Sequence, residues 1–74
     1  MSVQLPTSIL KQIGKTLKEV RVSRNLSQVE VANKAKIFPN YFAKIERGEI
    51  NISLATLYKI VKALNIKTRD LLPF

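Results

Sequence analysis

The side chains of this sequence that could take part in chemistry are mostly cationic. The 74 residues include 13 Lys and Arg against five Asp and Glu, which gives a formal charge of +8. Nine of the basic residues and three of the acidic ones fall between residues 11 and 47, so the positive charge is concentrated there. A domain with this excess of positive charge can bind the phosphates of nucleic acid or the surface of an anionic membrane. A soluble protein with merely solvated lysines is the alternative interpretation.

The residue types that catalysis and metal binding need are scarce. The chain has no Cys and no His, which removes the usual zinc and copper ligands and the Cys-His and Ser-His nucleophile pairs. The five carboxylates are scattered singly, and two Gly are too few for a glycine-rich phosphate loop. We therefore expect a protein that is not an enzyme and that needs no metal, cofactor or small-molecule ligand.

The whole chain, residues 1–74, is expected to form one domain because it contains no linker, repeat or low-complexity tract. Its apolar runs are shorter than the roughly 18 to 20 residues that span a bilayer, and its start lacks the features of a secretion signal. These features predict a cytoplasmic protein that does not enter a membrane.

Apolar residues at helical spacing predict a first helix over about residues 8–24. The residues of this stripe are Ile9, Ile13, Leu17 and Val20. Thr7 or Ser8 suits the N-cap position, and Asn25 suits the left-handed backbone that often ends a helix.

Two further helices are predicted by their end signals. Ser27 and Glu30 have the spacing of a capping box, which starts helix 2 at about residues 28–35. Helix 3, about residues 39–47, has a proline in its first turn and a glycine just after its end.

A fourth helix is predicted between Ser53, a capping residue, and Asn65, a stop signal. Its apolar stripe is Leu54, Leu57, Ile60, Val61 and Leu64. A short helical turn follows at about residues 68–72. The sequence thus predicts an all-α fold of five short helices.

Helix 2 and helix 3, joined by three residues, have the proportions of a helix-turn-helix. In that motif the second helix can enter a DNA major groove, which is about 12 Å wide. Helical corners with no nucleic-acid role share this spacing, so the spacing alone leaves the function open.

Over roughly residues 13–72 the sequence resembles the Cro and phage-repressor (XRE-type) helix-turn-helix family. The resemblance is carried by Leu26-Ser27-Gln28, Val31-Ala32, Tyr41, Ile45-Glu46-Arg47-Gly48 and residues 57–64. Residues 46–53 also resemble the small controller proteins of restriction-modification systems. The resemblance implies a five-helix, lambda-repressor-like domain that binds double-stranded DNA as a homodimer and regulates transcription.

The resemblance also implies which residues meet the DNA. They are Ser27, Gln28, Pro39, Asn40, Tyr41, Lys44 and Arg47. Gln28 would touch a phosphate and brace a recognition side chain, Asn40 could read adenine, and Lys44 could meet guanine or a phosphate. Tyr41 and Arg47 would contact phosphates. A half-buried Tyr41 and a solvated Arg47 at the helix end are the alternatives.

In the family, the residues that match Arg21 and Glu46 form a partly buried ion pair, so an architectural role is expected for both. Three residues depart from the family pattern: Lys36 replaces a common Gly, Phe38 a Ser or Thr, and Ala43 a frequent Ser. A left-handed Lys36 would store about 1–2 kcal/mol of strain. Phe38 is expected to plug the core, in preference to an exposed ring that meets a thymine methyl group.

The predicted partners are double-stranded DNA and a second copy of the chain. One copy, with an expected radius of gyration of about 11 Å, is too small to read two major grooves about 34 Å apart. Leu71, Leu72 and Phe74 could form a self-complementary patch with residues of helix 4 or its flanking loops, or they could cap the core.

The predicted function is sequence-specific regulation of transcription by a homodimer on a palindromic or pseudo-palindromic operator, such as that of a restriction-modification operon. One alternative is an antitoxin or anti-repressor that mainly binds a protein partner. Another is a cationic, membrane-active helix.

Overall fold

The structure, a computed structural model, describes residues 4–74, which form a fold of helices without a β-strand. Its α-helices are α1 (Thr7–Ser23), α2 (Gln28–Ala35), α3 (Pro39–Glu46) and α4 (Leu54–Leu64). The predicted fifth helix is instead one turn of 3₁₀-helix, Thr68–Asp70. Asn65 ends α4 and Pro73 follows shortly, so the segment between them is too short for an α-helix to propagate. The first three residues of the predicted domain lie outside the described part.

The start of α1 differs from the prediction. Thr7 and Ser8 are both helical, and Pro6 occupies the N-cap position with φ −55° and ψ 147°. The Pro6 carbonyl oxygen accepts the N–H groups of Ile9 and Leu10, each at 3.0 Å. The prediction of a Thr7 or Ser8 cap is therefore wrong, because the restricted φ of proline already aims its carbonyl group at the first helical turn.

The predicted side-chain caps of α2 and α4 are present. Ser27 Oγ accepts the Glu30 N–H at 3.0 Å, and Glu30 Oε1 accepts the Ser27 N–H at 2.8 Å. The backbone hydrogen bond from Ser27 lowers the pKa of the Glu30 carboxyl. Ser53 Oγ accepts the Thr56 N–H at 3.1 Å. By contrast, α3 has no side-chain cap and ends one residue before the predicted position.

Left-handed residues follow the helices where the sequence signals them. Asn25 and Asn65 have φ angles of 57° and 54°, and Gly48 has a φ angle of 72°. Lys36 is also left-handed, at φ 59°, directly after α2. A lysine in this conformation stores about 1–2 kcal/mol of strain, which the packing of the adjoining helices must outweigh.

The four α-helices enclose one core. α3 packs against α1 and α2, and α4 packs against α2. The core residues are Leu10, Ile13, Leu17, Val31, Ala32, Ala35, Phe42, Ile45, Ile52, Leu57, Ile60, Val61, Leu64 and Leu71. Leu54, predicted on the apolar stripe of α4, is instead 80% exposed. Residues 53–55 are all exposed, so the first turn of α4 extends past the core and periodicity alone misplaces Leu54.

Gly14 allows α1 and α3 to approach each other. It is buried, and a Cβ atom at this position would overlap the Glu46 carbonyl oxygen. Because backbone atoms cannot yield as a flexible side chain can, the contact requires glycine here. It fixes the end of α3 against the middle of α1. The resulting radius of gyration is 11.3 Å, and no helix within residues 4–74 has the length and apolar content needed to cross a membrane.

Candidate nucleic-acid interface

The outward face of α3 carries four of the predicted DNA contacts. Phe42 and Ile45 occupy the inward face and are buried. The outward face is a shallow depression of about 520 Å³ lined by Phe38, Pro39, Asn40, Tyr41 and Lys44. Asn40 and Lys44 are exposed, so their amide and ammonium groups are free to meet another molecule. The helix has eight residues, and an α-helix with its side chains is about 10–12 Å across, which fits the width of a major groove.

Tyr41 lies at the edge of this face and is half-buried, in contact with the core. This is the environment that the alternative interpretation gave it. A half-buried tyrosine can still place its hydroxyl group on a phosphate while its ring packs on the scaffold, so the burial does not decide between the two roles.

Phe38 does not plug the core. Its side chain is 81% exposed, whereas Phe42, four residues later, is fully buried. The prediction is wrong because Phe38 is the N-cap of α3, with extended backbone at φ −72° and ψ 140°. A residue before proline is held in this conformation, and here it directs the ring away from the position that Phe42 fills.

The Arg21–Glu46 ion pair implied by the family resemblance is present and largely buried. Arg21 Nε donates to Glu46 Oε2 at 2.7 Å, and Arg21 Nη2 donates to Glu46 Oε1 at 3.1 Å. The side chains retain 11% and 3% of their exposure. Arg21 Nη1 also donates to the Leu26 carbonyl oxygen at 2.9 Å. One guanidinium group therefore connects α1, the segment before α2 and the end of α3.

Gln28 belongs to the same network. Its Nε2 donates to Glu46 Oε1 at 2.8 Å, and its side chain is half-buried. Gln28 thus braces the carboxylate at the end of α3, where the prediction had it bracing a base-reading side chain. Ser27, just before it, uses its hydroxyl oxygen as the α2 cap. The phosphate contacts predicted for both residues remain predictions.

Arg47 has a partner that the sequence analysis missed. Its guanidinium group donates to Glu49 through Nε at 2.7 Å and through Nη2 at 3.1 Å, and both side chains are about half exposed. These hydrogen bonds raise the pKa of Arg47 and lower the pKa of Glu49. The signal was a cation and a carboxylate on either side of Gly48, whose left-handed backbone brings them together. A phosphate that binds Arg47 must compete with Glu49.

A second basic surface lies between α2 and α4. Four lysines line a depression of about 400 Å³ around Tyr58: Lys34, Lys36, Lys59 and Lys62. Lys62 Nζ is 5.9 Å from the centroid of the Tyr58 ring, within the range of a cation–π interaction. The sequence shows these lysines only as two separate pairs, and the packing of α2 on α4 brings the pairs together. They add to the positive potential of the domain.

The predicted dimer patch is only partly at the surface. Leu71 is 3% exposed and belongs to the core, Leu72 is half-buried, and Phe74 is 74% exposed. Leu71 must therefore be removed from the predicted patch, because the short 3₁₀ turn before it directs its side chain inward. The prediction also included unnamed residues of helix 4, and Leu54 and Tyr58, one turn apart on α4, are exposed large side chains of that helix.

These elements define a helix-turn-helix protein, with α2 and α3 as the two helices of the motif. The helix-turn-helix family model matches residues 17–71, and the chain belongs to this family. The match includes the Arg21–Glu46 pair, the capped start of α2 and the whole of α3.

Similar proteins include restriction-modification controllers. The chain is 39% identical over 62 residues to control protein C.BamHI of Bacillus amyloliquefaciens, covering 82% of this chain and 76% of that protein. The controller protein C.AhdI from Aeromonas hydrophila has a similar structure, with a TM-score of 0.84 and 34% identity over 86% of this chain and 97% of that one. A tetramer of the controller protein C.Esp1396I, solved with its natural 35 base-pair operator, gives a TM-score of 0.76 at 25% identity. It covers 80% of this chain and 78% of that one.

Proposed function

We propose that this protein is a transcriptional regulator that binds specific sequences in double-stranded DNA as a homodimer. The observation that carries the proposal is the outward face of α3, where Asn40 and Lys44 are exposed on a helix that can lie in a major groove. Membership of the helix-turn-helix family and the likeness to a controller bound to its operator support it. In this role the protein acts by binding and not by catalysis, in the cytoplasm, with a lambda-repressor-like arrangement on DNA.

Base recognition is assigned to the exposed side chains of α3. An asparagine amide can pair with N6 and N7 of adenine, and a lysine can donate to the acceptors of guanine. Each good bidentate contact contributes about 1–3 kcal/mol of discrimination against the wrong base. Asn40 is the better specificity residue because its amide can form two hydrogen bonds, whereas Lys44 can meet either a base or a phosphate.

Phosphate contacts are assigned to the residues that flank α3. At the N-terminus of α2 the Ser27 N–H already donates to Glu30, so the Gln28 backbone N–H and the positive end of the helix dipole are what this terminus offers a phosphate. Tyr41 and Arg47 lie at the edge and the end of α3. Such contacts fix the register of the protein on the duplex, and they make binding strongly dependent on salt.

Two copies are needed to read a site that spans two major grooves. Each copy presents one α3, and successive grooves on one side of a duplex are about 34–36 Å apart. We assign the contact between the copies to the exposed or half-buried apolar residues Leu72, Phe74 and Leu54. By analogy with the controllers that the chain resembles, the regulated genes are those of a restriction-modification operon.

Selection of bound fragments from a random duplex pool tests this function. We expect a palindromic or pseudo-palindromic site, two protein copies per duplex, and a fall in log K with log [salt] of about 0.9 for each of about 6–10 phosphate contacts. Binding with no sequence preference, or binding unaffected by salt, would contradict the proposal. A stoichiometric protein partner that co-purifies and blocks DNA binding would favour the antitoxin or anti-repressor alternative.

A further inference from the structure

The exposed ring of Phe38 contributes little to the stability of the folded protein. It is 81% exposed, so it adds almost nothing to the core. It also occupies the N-cap of α3, where no side chain accepts a hydrogen bond from the first turn. Ser, Thr, Asp or Asn at an N-cap normally accepts such a bond and stabilises the helix. Phe38 neither caps α3 nor packs in the core, so we expect its role to lie in contact with another molecule.

The surroundings of Phe38 indicate what that requirement is. The ring lines the depression that contains Asn40 and Lys44. It also lines a neighbouring depression of about 270 Å³ that contains Asn33 and Lys36. Phe38 is therefore an apolar group set among amide and ammonium groups, at the leading end of the helix assigned to the major groove.

We propose that the Phe38 ring packs against the 5-methyl group of a pyrimidine in the major groove, and so makes that methyl group part of the recognised sequence. The inference depends on the proposed function. On the base edges of the major groove the 5-methyl group of thymine is the apolar feature, and an apolar side chain is its natural complement. A methylated cytosine presents the same group at the same carbon. A phosphate offers the ring nothing comparable.

Asn40, two residues further on, makes the assignment more specific. Asparagine is suited to adenine, and the partner of adenine is thymine. An A·T pair, or two adjacent ones, can therefore satisfy both side chains: the amide on the adenine edge and the ring on the methyl group. Phe38 would then add recognition of the methyl group itself, which the hydrogen bonds from Asn40 to adenine do not contact.

The test measures the effect of one methyl group in the presence and absence of the ring. In the selected operator each dT of a half-site is replaced by deoxyuridine, and each dC by 5-methyl-dC, one position at a time. Dissociation constants are measured at fixed salt for the wild type and for Phe38→Ser, a variant that restores a capping oxygen and should remain folded. Val22→Ala, which shortens another exposed apolar side chain, near the end of α1, is the control.

For the wild type and Val22→Ala we expect one position at which loss of the thymine methyl group weakens binding about four-fold in one half-site and about 15-fold in both, as burial of one methyl-sized group implies. Phe38→Ser should bind both duplexes equally. If methylation of one cytosine strengthens wild-type binding to the same extent but leaves Phe38→Ser binding unchanged, the methyl group that Phe38 contacts belongs to a methylated cytosine. If every methyl change alters the dissociation constants of the wild type and of Phe38→Ser by the same factor, the inference about Phe38 is wrong. The proposed function is tested separately, by whether the wild type binds DNA in a sequence-specific way.

Discussion

Replacing Arg21 by Ala is expected to destabilise the fold severely. The Glu46 carboxylate, 3% exposed, would lose both hydrogen bonds from the guanidinium group and keep only the one from the Gln28 amide. The Leu26 carbonyl oxygen would lose its side-chain donor as well. Removing one partner of a buried ion pair costs about 3–5 kcal/mol because the other charge is left without compensation. Small domains have total stabilities near the lower end of about 5–15 kcal/mol, so this loss is a large part of the whole.

Urea unfolding followed by helical circular dichroism measures this loss. With an m-value of about 1 kcal/mol/M for a chain of this size, a loss of 3 kcal/mol lowers the midpoint by about 3 M. A double variant, Arg21→Met with Glu46→Leu, should recover part of the stability because the pair is replaced without leaving a lone charge. Recovery should be incomplete, since the Gln28 amide and the Leu26 carbonyl group still lose their partner.

The matched control is Arg47→Ala, which breaks the exposed pair with Glu49. Screening by water and salt makes such pairs weak, so its unfolding midpoint should remain close to that of the wild type. If Arg21→Ala lowers the midpoint no more than Arg47→Ala does, the Arg21–Glu46 pair does not hold α1 to α3, and the architectural interpretation is wrong.

Further predictions concern the end of α3, its contact with α1 and its cap. Glu49→Gln should strengthen DNA binding because Arg47 is freed for a phosphate, and the slope of log K against log [salt] should steepen by about 0.9 per copy. DNA titrations at several salt concentrations that match those of the wild type would argue against this. Since the Arg47 hydrogen bond holds the pKa of Glu49 below its ordinary value of 4.5, the pair is fully formed above pH 4.5 and lost only as pH falls below it, which an NMR titration of the Glu49 side chain can check. Gly14→Ala should destabilise by about 1–3 kcal/mol or more through the clash with the Glu46 carbonyl oxygen, and a higher urea midpoint would refute the close contact. Phe38→Ser should raise the melting temperature by supplying the missing cap, for about 0.5–1 kcal/mol, whereas a lower one would mean that the ring packs on its own chain.

Apart from the start of α1, which Pro6 caps in place of Thr7 or Ser8, the ends of the α-helices could be predicted closely from the sequence because their causes are local. The Ser27–Glu30 capping box and the left-handed Asn25 and Asn65 each depend on residues within one or two turns. Gly48 is of the same kind. These signals fix the lengths of the helices and of the turn between α2 and α3, and hence the helix-turn-helix.

The errors lie where helices meet one another or end at the edge of the core. Leu54 fits the periodicity of α4, but the sequence does not show how far the core extends along that helix. Phe38 is predicted in the core, but Phe42, four residues later, is the phenylalanine that is buried there. The four lysines around Tyr58 are dispersed in the sequence and meet only through packing. The Arg21–Glu46 pair was predictable only from the family resemblance, since 25 positions separate its members.

The measurement that tests the central claim most directly compares the sequences selected by the wild type with those selected by Asn40→Ala under identical salt. If the outward face of α3 reads base edges, Asn40→Ala should lose the preference for one adenine in each half-site, at a cost of about 1–3 kcal/mol, while the other preferences and the salt slope are retained. An unchanged adenine preference in the variant would show that another surface of the protein contacts the bases.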